Sequence, residues 1–221
     1  MSISENYLDL KEKLDDKVTL ISVSKTRTVE EIEEVYQSGC RDFGENKVQE
    51  LIDKYEKLPK DIRWHLIGHL QRNKVKYLVG RVELIHSLDS VRLLDEIEKI
   101  FGNHNEVAQT LIQINIGREE SKTGVMYENL QELIDAVEKC NYVKVKGIMV
   151  TIPKGDAESC RLYFNKTKEI FDGLKEKSYK NISMEVLSMG MTGDYKIALE
   201  CGSNMIRVGT GIFGKRNYDK Q

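Results

Sequence analysis

Cysteine is scarce in this chain and shows no pairing pattern: Cys40, Cys140, Cys160 and Cys201 lie far apart, with no CxxC among them. Across 221 residues that spacing argues against a disulfide framework or a zinc site. It fits reduced thiols in a cytoplasmic protein. Long apolar runs are lacking as well; the longest are strand-sized, far short of the ~20 residues a membrane span needs. The N-terminus, Met1-Ser-Ile-Ser-Glu-Asn-Tyr7, does not follow the basic-then-apolar order of a signal peptide. Lys and Arg together number 34 and Asp and Glu 36, interspersed for a net charge of −2, so neither a nucleic-acid partner nor a charged tail is expected. Only two prolines occur, and no Pro/Gly/Ser-rich linker or low-complexity tract breaks the chain. Residues 1–221 read as one domain.

What is present is alternation. After a helix over residues 5–14, the first strand expected is Val18-Thr-Leu-Ile-Ser-Val23. Thr28-Val-Glu-Glu31 then has the form of a capping box that starts a helix, with Val29, Ile32, Val35 and Tyr36 on one face and Gly39 at its end. Further strands are expected at 41–43, 63–67, 83–86, 110–116, 145–150, 184–188 and 204–208. Helical stripes separate them, among them Val48-Leu51-Ile52-Tyr55 and Val91-Leu94-Ile97-Phe101. Leu130-Leu133-Ile134-Val137 is another, and Leu162, Phe164, Ile170 and Phe171 lie in a longer helix. Strands alternating with helices imply parallel pairing through right-handed crossovers. Eight such units predict an α/β fold, a single (β/α)8 TIM barrel, with a doubly wound open sheet as the alternative.

In such a barrel, chemistry sits at the C-terminal strand ends. Lys25 follows the first strand in Ser22-Val-Ser-Lys-Thr-Arg27, Asn46 the second in Phe43-Gly-Glu-Asn46, and His65 and Gly68 belong to Trp64-His-Leu-Ile-Gly-His-Leu-Gln71. A lysine whose stem enters a barrel mouth has a lowered pKa and can form a Schiff base, although most lysines are solvated surface charges. The loops after strands seven and eight read Ser188-Met-Gly-Met-Thr-Gly-Asp194 and Gly209-Thr-Gly211. Small residues there let backbone amides approach an anion, and Ser188 and Thr210 add hydroxyls. Taken alone, each loop is also an ordinary turn. Together they point to a phosphorylated carbonyl compound. His65 and His69 are four apart but lie on a strand running into a turn, where that spacing does not make a metal site; His86 and His104 have no partner that spacing reveals.

At these residues the chain resembles the YggS/PROSC-type pyridoxal phosphate homeostasis proteins. The resemblance runs from Val18 to Arg216, through the motifs above together with Glu120-Ser-Lys-Thr-Gly124, Leu187-Ser-Met-Gly-Met191 and Ile206-Arg-Val-Gly-Thr-Gly-Ile-Phe-Gly214. It implies a fold-type III barrel like the alanine racemase N-terminal domain, with pyridoxal 5'-phosphate (PLP) held as a Schiff base on Lys25. It also implies phosphate contacts at Ser188, Gly209 and Thr210, Arg207 facing the pyridine nitrogen, and Asn46 and His65 lining the pocket. One departure is the short Val150-Thr-Ile-Pro-Lys-Gly155, where a longer insert is common.

The resemblance further implies a monomer without the second β domain of racemases, one that carries PLP and delivers it to PLP-dependent apoenzymes instead of turning substrate over. Two other readings stay open: a weak PLP-dependent racemase or lyase, and a Schiff-base aldolase acting on a sugar phosphate.

Overall fold

The computed structural model describes residues 2–215. Eight parallel strands close on themselves in sequence order: β1 (Thr19–Val23), β2 (Asp42–Glu45), β3 (Arg63–Leu66), β4 (Leu84–Leu88), β5 (Ala108–Ile114), β6 (Val143–Val150), β7 (Ile182–Met191) and β8 (Met205–Val208). Closure is the pairing of β8 with β1, in register from Thr19 opposite Met205 to Ser22 opposite Val208. That pairing decides for the barrel over the open sheet. Arg216, the last residue of the resemblance, lies outside the described residues.

Helices α1 (Ile3–Glu12), α2 (Val29–Gln37), α3 (Val48–Lys57), α4 (Val91–Gly102), α5 (Leu130–Val137), α6 (Ala157–Lys175), α7 (Tyr195–Glu200) and α8 (Thr210–Phe213) surround the strands. A 3-10 turn over Arg72–Tyr77 takes the helix position between β3 and β4. The Thr28 box forms as read: its hydroxyl accepts from the Glu31 amide, and the Glu31 carboxylate accepts from the Thr28 amide. This satisfies two donors the first turn of α2 cannot satisfy itself.

Strand alternation divides the core in two. Leu20 faces outward into the layer between strands and helices, with Ile32, Val35, Leu51 and Trp64. Its neighbour Ile21 faces inward and packs with Leu84, Leu111, Met149 and Met205 inside the barrel. Some expectations shift. β5 begins and ends two residues early; at its end Asn115 leaves the strand and binds the carbonyls of Glu119 and Lys122 through its side chain. Leu162, on the expected core stripe of α6, is 67% exposed. Among the described residues, no helix is long and apolar enough to cross a membrane.

Candidate functional site

Lys25 stands, half-buried, on the turn just beyond β1. Both sides of that turn are tied down. The Ser24 amide donates to the Gly44 carbonyl at 3.0 Å, and the next residue, Thr26, has φ +65. A left-handed backbone is unfavourable for a β-branched residue and persists only where its surroundings impose it. Here Glu50 accepts from the Thr26 amide at 2.5 Å. Farther on, Arg27 donates to the Gly214 carbonyl at 2.5 Å and lies over the Phe213 ring, pinning the turn to α8.

Beneath the turn is a buried charge cluster that the spacing of the sequence does not reveal. Lys54 Nζ donates to the Ser24 carbonyl at 2.8 Å, to Glu45 Oε1 at 2.7 Å and to Glu50 Oε1 at 2.7 Å. Ser24 Oγ donates to the same Glu45 oxygen at 2.6 Å. Glu45 is fully buried, and burial pushes its carboxyl up to about 7 against the pull of Lys54 and Ser24.

Asn46 follows β2, half-buried, and its backbone is packed against Gly68 beyond β3. A Cβ on Gly68 would lie 2.3 Å from the Asn46 carbonyl oxygen, so only glycine lets the two strand ends meet this closely. On the other side of the mouth, Gly209 lies against Val23, two residues before Lys25. The Gly211 amide donates to Thr192 Oγ1 at 3.4 Å, which joins the loop after β7 to the first turn of α8. Thr192, exposed on that corner, is a hydroxyl that the sequence reading passed over inside its own glycine-rich loop.

Arg207 points into the barrel and is 4% exposed. Its Nη1 donates to Ser188 Oγ at 2.6 Å and its Nη2 to the Val150 carbonyl at 2.8 Å. Among the described residues, no carboxylate lies within ion-pair distance of it. Burial pulls the guanidinium down to about 10, which still leaves it cationic at neutral pH.

The sequence-derived residues therefore do not all meet. The turn of Lys25, Asn46, Gly209 and Thr210 lie at the C-terminal strand ends, with Arg207 one step deeper. Ser188 is fully buried in the interior, its hydroxyl engaged with Arg207 and, at 3.3 Å, with His86 Nδ1. His65 opens to the other end: it lines a cavity of about 450 Å³ with Thr19, Asp42, Arg63, Glu83 and Met205, at the starts of their strands. His86, for which spacing reveals no partner, is held between His65 and Ser188. His69 is exposed opposite Asp89, and His104, in the turn after α4, bonds the Ile100 carbonyl near the end of that helix.

The arrangement offers an amine on a fixed turn, a buried cationic donor and a glycine- and hydroxyl-rich corner suited to an anion. Comparisons with known proteins give the family. The family model described as alanine racemase, N-terminal domain, matches residues 1–217. A pyridoxal phosphate homeostasis protein of Aquifex aeolicus is 47% identical over 202 residues, covering 90% of this chain and 87% of that protein. The solved structure of PipY from Synechococcus elongatus PCC7942, with PLP bound, superposes with TM-score 0.88 at 33% identity, over 96% of this chain and 100% of PipY. An alanine racemase from Clostridium difficile 630 shares the fold, with TM-score 0.82 at 17% identity, over 99% of this chain and 58% of the racemase.

Proposed function

We infer the function from a plain premise: this chain belongs to the pyridoxal phosphate homeostasis proteins, a family built on the alanine racemase N-terminal domain. It binds PLP and takes part in PLP homeostasis, as its relatives' names and the PLP-bound PipY structure indicate. We propose that Lys25 holds the cofactor as a Schiff base, with Asn46 at the pocket wall and Arg207 donating to the ring nitrogen. Gly209 and Thr210, joined by Thr192, take the phosphate.

One observation carries this reading: a buried guanidinium with no carboxylate at ion-pair distance among the described residues, on the strand paired with the one that leads into the lysine turn. A structural ion pair closing the barrel would have supplied that partner. When bound, the cofactor supplies an aldehyde that condenses with an amine and a ring that withdraws electrons. The chain's own groups orient it. Ser188 braces Arg207 from below, and His65 acts at a distance from the pocket.

In this reading the protein is a cytoplasmic carrier for apoenzymes without robust turnover. Arginine can only donate, so it favours an unprotonated ring nitrogen and a weaker electron sink. The test is an absorption spectrum of purified protein before and after borohydride. Yellow protein that yields a phosphopyridoxyl group on the Lys25 peptide is expected; label on another lysine with Lys25 free overturns the assignment. Incubation with L- or D-alanine should give no turnover above free PLP. Racemisation at ordinary enzyme rates, ~1–1000 per second, would favour the racemase reading.

A further inference from the structure

An unbroken line of polar groups runs through the barrel interior from Arg207 to the opposite mouth. Arg207 Nη1 lies 2.6 Å from Ser188 Oγ, and Ser188 Oγ lies 3.3 Å from His86 Nδ1. His86 Nε2 lies 3.0 Å from His65 Nδ1, and His65 Nε2 lies 3.1 Å from Asp42 Oδ1. His86 and Ser188 are fully buried and His65 nearly so, so the middle of the line has no contact with solvent.

The two ends fix its direction. A guanidinium has protons and no lone pair to offer; a carboxylate has lone pairs and no proton. Burial works against the charge on Asp42, but hydrogen bonds from His65 and Arg63 outweigh it and bring the carboxyl to about 2. Burial, followed by the nearby His65 and Arg207, holds His86 well below the ordinary imidazole range, so its ring is neutral. With one proton on each ring, only one arrangement satisfies every member. His65 Nε2–H donates to Asp42, His86 Nε2–H donates to His65 Nδ1, and the Ser188 hydroxyl donates to His86 Nδ1. The Ser188 oxygen is thereby left as an acceptor for Arg207.

We propose that Asp42, His65 and His86 are positioning residues for the cofactor site, which keep the Ser188 proton turned away from Arg207 and so fix the guanidinium that meets the cofactor. Without Asp42 as a terminal acceptor, both imidazoles can adopt the other tautomer, and the Ser188 hydroxyl, no longer donating to His86, loses the fixed orientation it presents to Arg207. Because Asp42 lies in the cavity at the N-terminal mouth, a change made there reaches the far end of the barrel through hydrogen bonds alone. The proposal rests on the reading of Arg207 as a cofactor contact.

The experiment pairs two measurements. In the cofactor-free protein, 15N shifts of the imidazoles report tautomers directly; in the PLP-loaded protein, affinity and the absorption maximum of the lysine-linked cofactor report the other end. Wild type should show Nε2–H on both His65 and His86. Asp42→Ala should mix the tautomers, weaken PLP roughly 3- to 10-fold, the scale of one hydrogen bond, and shift the maximum. Arg63→Ala removes the other partner of Asp42 and should change none of these readouts. If Asp42→Ala does not fold, Ser188→Ala cuts the line at its other end and should shift the maximum while leaving the His65 tautomer as in wild type. An Nδ1–H tautomer of His86 in wild type overturns the proposal. So does a folded Asp42→Ala or Ser188→Ala protein with unchanged affinity and spectrum. A borohydride label away from Lys25 would instead remove the cofactor reading and leave the tautomer result standing.

Discussion

Lys54 Nζ, on α3, lies 2.8 Å from the carbonyl oxygen of Ser24, the residue immediately before the proposed Schiff-base lysine. The same ammonium holds Glu45 and Glu50, and Glu50 in turn holds the amide of Thr26. Lys25 is thus flanked on both sides by backbone groups bonded to one buried cluster. A nucleophilic amine gains from such fixation, since the rotations it does not make need not be frozen at the moment of reaction.

Replacing Lys54 with Met should therefore affect both stability and capture. Removing one partner of a buried pair leaves the other uncompensated, a loss of about 3–5 kcal/mol. The denaturation midpoint should fall, and PLP should bind more slowly even at temperatures where the variant is folded. Adding Glu45→Gln should restore part of the stability, because no buried carboxyl is then left without its cation. A single variant as stable as wild type would show that the cluster does not tie the turn.

Glu45 also gives a pH dependence of definite sign. Burial raises its carboxyl from the ordinary 4.5 to about 7, over the opposition of Lys54 and Ser24. The folded value lies above the unfolded one, so folding favours the protonated form in that window. The contribution of Glu45, relative to glutamine, is fully present below pH 4.5 and is lost as pH rises to about 7. Denaturant titrations should find Glu45→Gln gaining on wild type across that interval, by on the order of 1–3 kcal/mol, and level above it. An advantage that shrinks as pH rises would mean the folded state prefers the carboxylate.

How far the sequence foretold this depends on the range of each signal. β1 was legible because its apolar run is local, and so was the place of Lys25 just beyond it. The Thr28 box was legible because both of its bonds span three residues. His86 was not legible: its partners are 21 and 102 positions away and meet it only when the barrel closes. The placement of His65 failed for a related reason. On a four-residue strand, a shift of one side chain along the axis separates one mouth from the other. Ser188 was read as the end of the seventh strand, opening the loop, whereas β7 runs on to Met191 and keeps it inside. Thr192 then takes the exposed position where a hydroxyl was sought.

Gly68 tests the packing that brings Asn46 to the pocket. A Cβ at that position would lie 2.3 Å from the Asn46 carbonyl oxygen and 2.7 Å from its Cα, both backbone atoms that cannot rotate aside. Gly68→Ala must push the strand ends apart, at about 1–3 kcal/mol for an overpacked contact. The variant should melt lower and bind PLP less tightly, whereas Gly173→Ala, where an added Cβ meets nothing within 4 Å, should do neither. Equal behaviour of the two variants would remove Gly68 from the construction of the site.

Thr192 tests which end of the cofactor meets the glycine corner. Its hydroxyl accepts from the Gly211 amide at 3.4 Å, a long bond that leaves the hydroxyl proton available to an anion seated over Gly209 and Thr210. A hydrogen bond to a charged group is worth about 1.5–3 kcal/mol, so losing it should weaken binding by roughly 10-fold or more. Thr192→Val keeps the shape and removes the hydroxyl; Thr192→Ser keeps the hydroxyl. Because the side chain is exposed, neither change should alter stability by more than roughly 0.5 kcal/mol. The decisive comparison is between PLP and pyridoxal, which has the same aldehyde and ring without the phosphate. If the phosphate sits at this corner, Thr192→Val should lose affinity for PLP alone, and pyridoxal should bind wild type and variant equally. Thr192→Ser should behave as wild type toward both. An equal loss for both ligands would place the ring, and not the phosphate, against Thr192. The orientation of the cofactor between Arg207 and the α8 turn would then have to be reversed.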